Sequence, residues 1–335
     1  MNTLNVFKKL SLIIIAVFTI TSCSNDDDNP PAQEPLTIAD LAIAAESLSS
    51  LEAALIRADL VTTLDGTEQF TVFAPTNDAF TAFLSENGFA TLEDVPVPVL
   101  RQVLLNHVIP GALAASDLST GYINSSAVFG TTDSNLSMYV EASADGVTLN
   151  GVSNVTAVNV LASNGIVHVV DAVIGLPTVV TFATADPNFQ TLVTALTTLT
   201  PSTDFAGILS RNADGNADGL DAPFTVFAPT EAAFTALGTP PAEDALTQVL
   251  LHHVLGGANV RSGDLTPDGD TTATTLQGDD IIVTLPGTGG NIADVTDGAG
   301  NTDVGIVVVD VQASNGVIHA LNKVMLPSPS MMTTP

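Results

Sequence analysis

Three motifs occur twice in this chain of 335 residues, in the same order each time. The pairs are FTVFAPT at 70–76 and 224–230, VLLNHV at 103–108 with VLLHHV at 249–254, and ASNGIVH at 162–168 with ASNGVIH at 313–319. The copies are about 150 residues apart, far beyond the roughly 20–50 residues of a solenoid repeat. A unit of that length can bury its own core. The chain is therefore predicted to contain two copies of one globular domain, over residues 36–176 and 178–327.

The first half of each copy has the spacing of helices. Apolar residues recur every three or four positions through a stretch that predicts one amphipathic helix ending near Asp65 and Gly66; they are Leu48, Leu51, Leu55, Ile56 and Leu60. The apolar residues 70–73 then predict a buried strand, which Pro75 ends. Thr76 is predicted to cap the next helix, and Pro98 suits the first turn of the one after it.

The second half of each copy has the pattern of strands. In the first copy we predict strands at 137–140, 147–149, 155–160 and 166–170. Asn164 and Gly165 are predicted to supply the positive φ values of a tight hairpin turn. Helices followed by strands indicate the α+β class.

Residues 1–22 are predicted to be a signal peptide. Lys8 and Lys9 precede an apolar run at 10–20, which is too short for a membrane-spanning helix of about 20 residues. The run leads into ITSC at 20–23, and Cys23 is the sole cysteine. This resembles the lipobox of bacterial lipoproteins, with Ile20 where Leu is usual, and it predicts a lipid anchor on Cys23. The alternative is an ordinary secretory signal followed by an incidental cysteine.

Residues 23–35 contain three successive aspartates and three prolines, a composition typical of a flexible, solvated tether. Acidic residues just after the cysteine resemble surface-export signals of some Gram-negative lipoproteins. We therefore predict a lipid-anchored protein at the outer membrane that faces the outside of the cell, with the periplasmic face left open. Residues 328–335 are predicted to be a disordered tail.

The charge of the chain limits its partners. It has 36 acidic residues against seven basic ones, a net charge of −29, which disfavours nucleic acid as a partner because phosphate would be repelled. There is no tryptophan and there are two tyrosines, which weakens a carbohydrate-stacking platform.

The three duplicated motifs resemble those of the fasciclin family, whose domains are called FAS1 domains. The resemblance covers nearly all of residues 36–327 and implies two tandem α+β domains, each a β-wedge or small β-sandwich flanked by several α-helices. It also implies a secreted or surface-anchored adhesion protein. The motif residues expected to be structural are Thr71, Phe73, Pro75, Thr76, His107, Asn164, Gly165 and His168, and in the second copy Thr225, Phe227, Pro229, Thr230, His253, Asn315, Gly316 and His319. Some animal members have a Tyr-His adhesion motif, but here Asn106 and His252 precede the histidines, so integrin recognition is not carried over.

The five histidines could be imagined as metal ligands or as a nucleophile–base pair. No Gly-x-Ser-x-Gly elbow accompanies them, and all five lie in the duplicated motifs, four of them at positions where both copies have histidine. We favour core histidines that hydrogen-bond to the backbone.

An acidic loop of the second copy is a candidate calcium site. Oxygen-bearing side chains recur at every second position and are followed by Gly219, as at the start of a calcium loop; the candidate ligands are Asp214, Asn216, Asp218 and Asp221. The glutamate that completes an EF-hand is missing. A turn that needs no ion is the alternative.

Taken together, these features predict a non-enzymatic surface lipoprotein for adhesion or matrix contact. Its partners would be the membrane, through Cys23, and a surface, matrix protein or polysaccharide of unknown identity; no cofactor is required beyond the candidate structural calcium. The alternative is a periplasmic or surface binding module for polysaccharide or small apolar ligands. An apolar pocket lined by Phe, between the helices and the wedge, would favour that alternative. A hydrolase with paired carboxylates is poorly supported.

Overall fold

A computed structural model describes residues 36–212 and 215–330 of the chain. The predicted signal peptide, Cys23 and its tether, Asp214, and residues 331–335 of the predicted tail lie outside the described residues. Within them the α+β class is confirmed, since two similar units follow one another and each contains a seven-stranded sheet with helices.

The helices come first in each unit. In domain 1 they are α1 (Ile38–Ala44), α2 (Ser49–Arg57), α3 (Val61–Leu64), α4 (Asn77–Glu86) and α5 (Val97–Asn106). In domain 2 they are α6 (Val179–Ala185), α7 (Gln190–Thr194), α8 (Phe205–Leu209), α9 (Glu231–Leu237) and α10 (Glu243–Leu251), with a π-helical segment (Ala195–Leu199) directly after α7. None of the helices in the described ranges is long and apolar enough to cross a membrane.

The strands of the two domains correspond one to one. Domain 1 has β1 (Phe70–Pro75), β2 (Val108–Pro110), β3 (Gly121–Val128), β4 (Asn135–Ser143), β5 (Gly146–Leu149), β6 (Ser153–Ala162) and β7 (Gly165–Val170). Domain 2 has β8 (Phe224–Pro229), β9 (Val254–Leu255), β10 (Asp270–Thr274), β11 (Asp280–Thr284), β12 (Ala293–Thr296), β13 (Val304–Ala313) and β14 (Gly316–Leu321). The order in domain 1 is β2-β1-β7-β6-β5-β4-β3, and domain 2 has the same order with its own strands.

Helix starts follow the predicted capping. Thr37 accepts a hydrogen bond from Asp40 N at 3.1 Å and so caps α1. Thr76 caps α4 by accepting from Ala79 N at 3.3 Å, and Pro98 lies in the first turn of α5. Each cap gives a partner to a backbone N–H that the helix cannot satisfy itself.

The strand of the first motif divides the core of each domain. On one face of β1, Val72 and Ala74 pack with the helices. On the other face Phe73 packs with Met138 and Val140 inside the bent sheet. All six residues of β1 are buried because strands flank it on both sides, β2 antiparallel and β7 parallel, and a strand buried on both faces reads as a continuous apolar run.

The prediction of one helix from Leu48 to Gly66 was wrong. The α-helix α2 ends at Arg57, Asp59 takes a positive φ of 54°, and α3 begins again at Val61. This break lets Leu60 and Leu64 enter the core, each 1% exposed, and leaves Ile56 outside at 61%. The free energy gained by burying these two leucines thus outweighs the free energy gained by continuing the helix.

The predicted strands are present, but two details differ. Strands β2 and β3 were not predicted, since their sequences carry little alternation. The hairpin between β6 and β7 turns at Ser163 and Asn164, with Gly165 as the first residue of β7. Asn164 does not take the positive φ that we predicted for it; only Gly165 does, at 149°.

Candidate functional site

The asparagine of the third motif joins three distant parts of each domain. Asn164 is buried, and its Oδ1 accepts from the N–H of Ile38 at 2.9 Å. Its Nδ2 donates to the carbonyls of Leu64 at 2.7 Å and Gly66 at 2.9 Å. One side chain therefore holds the start of α1 and the end of α3 against the hairpin, a role no turn rule indicated.

Asn315 makes the same three bonds in domain 2. Its Oδ1 accepts from Val179 N at 2.9 Å, and its Nδ2 donates to Leu209 O at 2.8 Å and Arg211 O at 2.9 Å. The three partners occupy corresponding positions in the two domains, and the distances are nearly the same. This hydrogen-bond network is therefore a property of the fold that both copies share.

The glycine after each asparagine is required by a close approach. A Cβ on Gly165 would lie 1.9 Å from the carbonyl oxygen of Phe70, and one on Gly316 would lie 2.1 Å from that of Phe224. Both glycines also have a φ that L-residues rarely adopt, 149° and 157°. The motif therefore needs glycine for contact with β1 or β8, as well as for the turn.

The histidine of the second motif is a buried link between backbone segments. His107 Nδ1 lies 2.7 Å from Val103 O, and its Nε2 accepts from Ile174 N at 2.8 Å. His253 repeats this with Val249 O at 2.7 Å and Met325 N at 2.9 Å. An Nε2 that accepts places the proton on Nδ1, so both rings are neutral. Burial lowers the pKa of each imidazole from 6.5 to about 4.

The histidine of the third motif faces a bulge of the neighbouring strand. His168 Nε2 lies 3.0 Å from Leu113 O, and its Nδ1 accepts from Asn159 N at 3.3 Å. Asn159 has a positive φ of 59°, at a register shift between β6 and β7. His319 makes the corresponding contacts with Val260 O at 2.9 Å and Asp310 N at 3.4 Å. Burial lowers the pKa of both rings.

The residue before the second-motif histidine is where the copies differ. In domain 1 the buried Asn106 donates to Gly175 O at 3.0 Å and accepts from Ser125 Oγ at 3.0 Å. In domain 2 His252 lies 3.2 Å from Thr275 Oγ1 and accepts from Gly298 N at 3.0 Å. Burial lowers the pKa of His252 as well. The rings of His252 and His253 thus serve different backbone segments. No group of three or more His, Cys, Asp or Glu in the described residues is arranged to hold a metal ion.

The candidate calcium ligands that the structure describes form hydrogen bonds and an ion pair with protein groups. Asp218 forms a two-point ion pair with Arg211, at 2.8 and 2.9 Å. Asp221 accepts from the backbone and side chain of Asn216, at 2.8 and 2.7 Å. The hydrogen bonds of Arg211 lower the pKa of the Asp218 carboxyl, and those of Asn216 lower the pKa of Asp221. Asp214, the first candidate ligand, lies outside the described residues.

Both tyrosines of the chain lie where the domains meet. Tyr122 on β3 donates to Asp186 Oδ2 at 2.9 Å, across the end of α6. Its ring packs edge-on against Phe182 with centroids 5.5 Å apart, and at 5.1 Å from the ring of Tyr139. Tyr139, a residue of domain 1, belongs to the core cluster of domain 2. Burial and then the Asp186 charge raise the pKa of Tyr122, and the same two causes raise that of Tyr139 to about 12.

Polar bonds complete this junction. The N–H of Gln312 on β13 donates to Ser137 Oγ on β4 at 3.0 Å, and Arg261 donates to Ser134 Oγ at 2.7 Å. One signal of this surface is present in the sequence: both tyrosines fall in strands of the first copy, while their counterparts in the second copy are not aromatic. Aromatic residues are enriched in such contacts.

Domain 2 also has an apolar cavity of about 80 Å³. It opens between α6, α7, the π-helical segment and α8, above β8 and β14, and its lining includes Val179, Leu192, Leu196, Phe205, Val226 and Ile318. The connection that borders it is longer than in domain 1, with nine positions from Leu196 to Phe205 and five from Leu55 to Leu60. Leu196 is consequently half-buried, whereas Leu55 is fully packed at 4% exposure.

Comparison with known proteins gives two matches to one family. The model of the Fasciclin domain matches residues 46–177 and again 187–327. Among solved structures, one described as a FAS1 domain pair from the insect cell adhesion molecule Fasciclin I covers 86% of this chain and 99% of its own, with 18% identity and a TM-score of 0.47.

Relatives of the chain come from bacteria and animals. Protein sll1483 of Synechocystis is 37% identical over 143 residues, which are 42% of this chain and 73% of that protein. Human periostin is 27% identical over 276 residues, 79% of this chain and 29% of periostin. The pig protein ig-h3, called transforming growth factor-beta-induced, is 32% identical over 126 residues, 38% of this chain and 17% of that protein. The chain therefore spans less than a third of these two animal relatives.

Proposed function

The chain belongs to the fasciclin family, and from this premise we propose that it is a non-enzymatic surface lipoprotein whose two fasciclin domains mediate adhesion or matrix contact. The observation that carries the proposal is the domain junction. Tyr122, Tyr139 and Phe182 hold the pair in one arrangement, so both domains present their outer faces together. Weak contacts on such faces add up when many tethered copies act on one surface.

Two features of the chain favour a binding role over catalysis. Each histidine ring nitrogen described above already has a backbone or side-chain partner, so none of them is poised as a base. The excess of acidic residues keeps such a protein soluble and repels other anionic surfaces. Adhesion would then proceed through neutral or basic partners, or through partners bridged by divalent cations.

The anchor is tested by Cys23→Ser. We expect the wild-type chain in the membrane fraction and the variant in the soluble fraction, because acyl chains contribute about 0.8 kcal/mol per buried methylene. Membrane retention of the variant would remove the lipid anchor from the proposal.

Adhesion is tested separately with residues 36–327 on arrays of glycans and matrix proteins, and by attachment assays on cells that lack the gene. We expect at least one array partner and reduced attachment. Unchanged attachment with no array partner would favour the second candidate.

The second candidate is binding of a small apolar ligand in the cavity of domain 2. Its support is an apolar pocket between the helices and the sheet, where this alternative expects one. The lining is aliphatic apart from Phe205 and two threonines, so it contains one phenylalanine where several were expected. The lack of a polar anchor suits an alkyl chain better than a sugar.

This candidate is tested by titrating a short alkyl alcohol and a fatty acid and observing chemical shifts of the lining methyl groups. Ala183→Phe, which fills the cavity, should abolish the shifts. Thr198→Phe, on an exposed residue outside the lining, is the matched control. Shifts that survive Ala183→Phe would exclude this cavity as the binding site.

A further inference from the structure

The outer edge of β13 in domain 2 is covered by domain 1. Strand β12 pairs only with the first three residues of β13, which are Val304, Gly305 and Ile306. Beyond that point Val311 is 3% exposed and Gln312 is fully buried. The N–H of Gln312 points outward and donates to Ser137 Oγ on β4 of domain 1, so β4 occupies the edge that β12 leaves open.

The same edge exists in domain 1 and is bare. Strand β5 pairs with β6 only at Asn154 and Ser153. Counting from the shared hairpin, Val160 and Leu161 are the counterparts of Val311 and Gln312. In contrast to these buried counterparts, Val160 is 38% exposed and Leu161 is 74% exposed.

The hairpin register also sets the direction of the peptide groups on this edge. Ala162 and Gly165 close the two-residue turn, so the next pair along the strands is not hydrogen-bonded and the N–H of Leu161 points away from β7. Val158 adds a further half-exposed apolar side chain at 50%. An apolar edge with free peptide groups is a surface prepared for another strand.

The surface that would fit this edge exists on domain 2. Strands β10 and β11 correspond to β3 and β4, which cover β13. Val283 pairs with Val295 as Val140 pairs with Leu149, and the neighbouring Ile282 is therefore the counterpart of Tyr139.

The same register makes Asp280 the counterpart of Ser137. The outer face of the β10–β11 ribbon includes the exposed Thr272, Thr274 and Asp280 together with the half-buried Ile282. It presents an aliphatic group and an acceptor at the positions that Tyr139 and Ser137 use.

We propose that a second copy of the chain docks its β10–β11 ribbon on the bare edge of β6. This contact between two molecules would resemble the contact between domain 1 and domain 2 within a single molecule. Ile282 would pack on Val160 and on Leu41, which takes the place of Phe182. Asp280 would accept from the N–H of Leu161. The contact joins unlike faces, so each molecule can bind two others and association continues beyond the dimer.

Charge sets the conditions for this association. The ribbon carries Asp270 and Asp280, and the whole chain has a net charge of −29. Like charges oppose approach, and salt screens them over about 8–10 Å at 0.1–0.15 M. We therefore expect association to strengthen with salt, the opposite of an ion-paired interface. The proposal does not depend on the anchor or on an external adhesion partner.

The test is sedimentation velocity of the purified chain over a range of concentrations and salt. We expect the average sedimentation coefficient of the wild type to rise with both. Leu161→Asp should abolish the rise by spoiling the β6 edge, and Ile282→Asp should abolish it by spoiling the ribbon. Because Ile282 is half-buried, Thr272→Arg on the same face is a second ribbon variant. Ile56→Asp, on an exposed apolar residue of α2 at 61%, should associate like the wild type.

Mixing the variants separates this contact from other kinds. Leu161→Asp keeps an intact ribbon and Thr272→Arg keeps an intact edge, so an equimolar mixture should form dimers while each alone stays monomeric. A mixture that stays monomeric would overturn the proposal. Thr272→Arg that associates on its own like the wild type would indicate an edge-to-edge contact and would also overturn it. It would equally be overturned by a wild type that is monomeric throughout, or by Leu161→Asp that associates normally.

Discussion

The two domains make matching hydrogen bonds through their motif asparagines and through His107 and His253, and they differ on their surfaces. Asn164 and Asn315 make the same three bonds with nearly the same distances. In contrast, Leu161 is exposed where Gln312 is buried, and a cavity opens beside Leu196 where Leu55 is packed. The comparison teaches that main-chain partners constrain this fold most strongly, because a buried peptide group without a partner is costly. Side chains outside this network, such as Leu161 and Leu196, differ in burial between the two copies.

The largest effect should come from removing the shared asparagine. Asn164→Ala would leave one N–H and two carbonyls without partners, and Asn315→Ala would do the same in domain 2. We expect each to lower the free energy of unfolding by about 4 kcal/mol, at about 1–3 kcal/mol for each orphaned group. Urea unfolding measures this, with Ser163→Ala as the control on the neighbouring turn residue. A loss below about 1 kcal/mol in either domain would break the claimed equivalence.

Acid should destabilise domain 2 more than domain 1. Below a pH of about 6.5 the unfolded chain gains protons on its histidines, while His107 and His253 resist protonation until their pKa of about 4. Stability is therefore complete above pH 6.5 and falls as the pH drops towards 4, by about 3 kcal/mol for each of these two residues. Domain 2 has the additional His252, with its pKa also lowered.

Hydrogen exchange of β1 and β8 at pH 7 and at pH 4.5 reports the two domains separately. His252→Asn places in domain 2 the amide that domain 1 has at Asn106. It should reduce the difference in acid sensitivity between the two domains. Equal acid sensitivity of the two wild-type domains would contradict this reasoning.

A smaller effect is expected at the junction. Tyr122→Phe removes the bond to Asp186 and should cost about 2 kcal/mol, typical of a hydrogen bond to a charged group. Tyr139→Phe keeps the ring in the same cluster and is expected to cost less. The measurement is thermal unfolding, where Tyr122→Phe should also separate one transition into two. Equal losses for the two variants would mean that the rings alone hold the domains together.

The smallest effect concerns calcium, and only domain 2 has the loop. Arg211 already supplies the positive charge next to Asp218, so we expect calcium to raise the melting temperature of the wild type by only a few degrees. Arg211→Ala should enlarge this shift, because an ion would then be the sole counter-charge, and Asp214→Ala should remove it. Absence of any shift in both the wild type and Arg211→Ala would leave the loop as a turn that needs no ion.

Much of the fold could be predicted because its signals are local. Thr76 as a cap, Pro98 in a first turn and the strand at 70–73 each depend on a few neighbouring residues. The helix expected to run to Gly66 failed for a non-local reason, since Asp59 turns the chain so that Leu60 and Leu64 reach a core that the spacing does not describe. The bonding role of Asn164 was equally hidden, because its partners Ile38 and Leu64 are some 100 residues or more away along the chain.

From the order of residues alone it follows that the protein is built from two copies of one domain and that several helices and strands begin at capped or apolar segments. Repetition and local capping are written in the order of residues. The faces on which the two copies meet are known only from the folded molecule. That choice depends on Tyr122, Tyr139 and Gln312 reaching partners in the other domain, and on β12 being too short to cover β13. Such contacts join residues that are distant in the chain, so no local pattern records them.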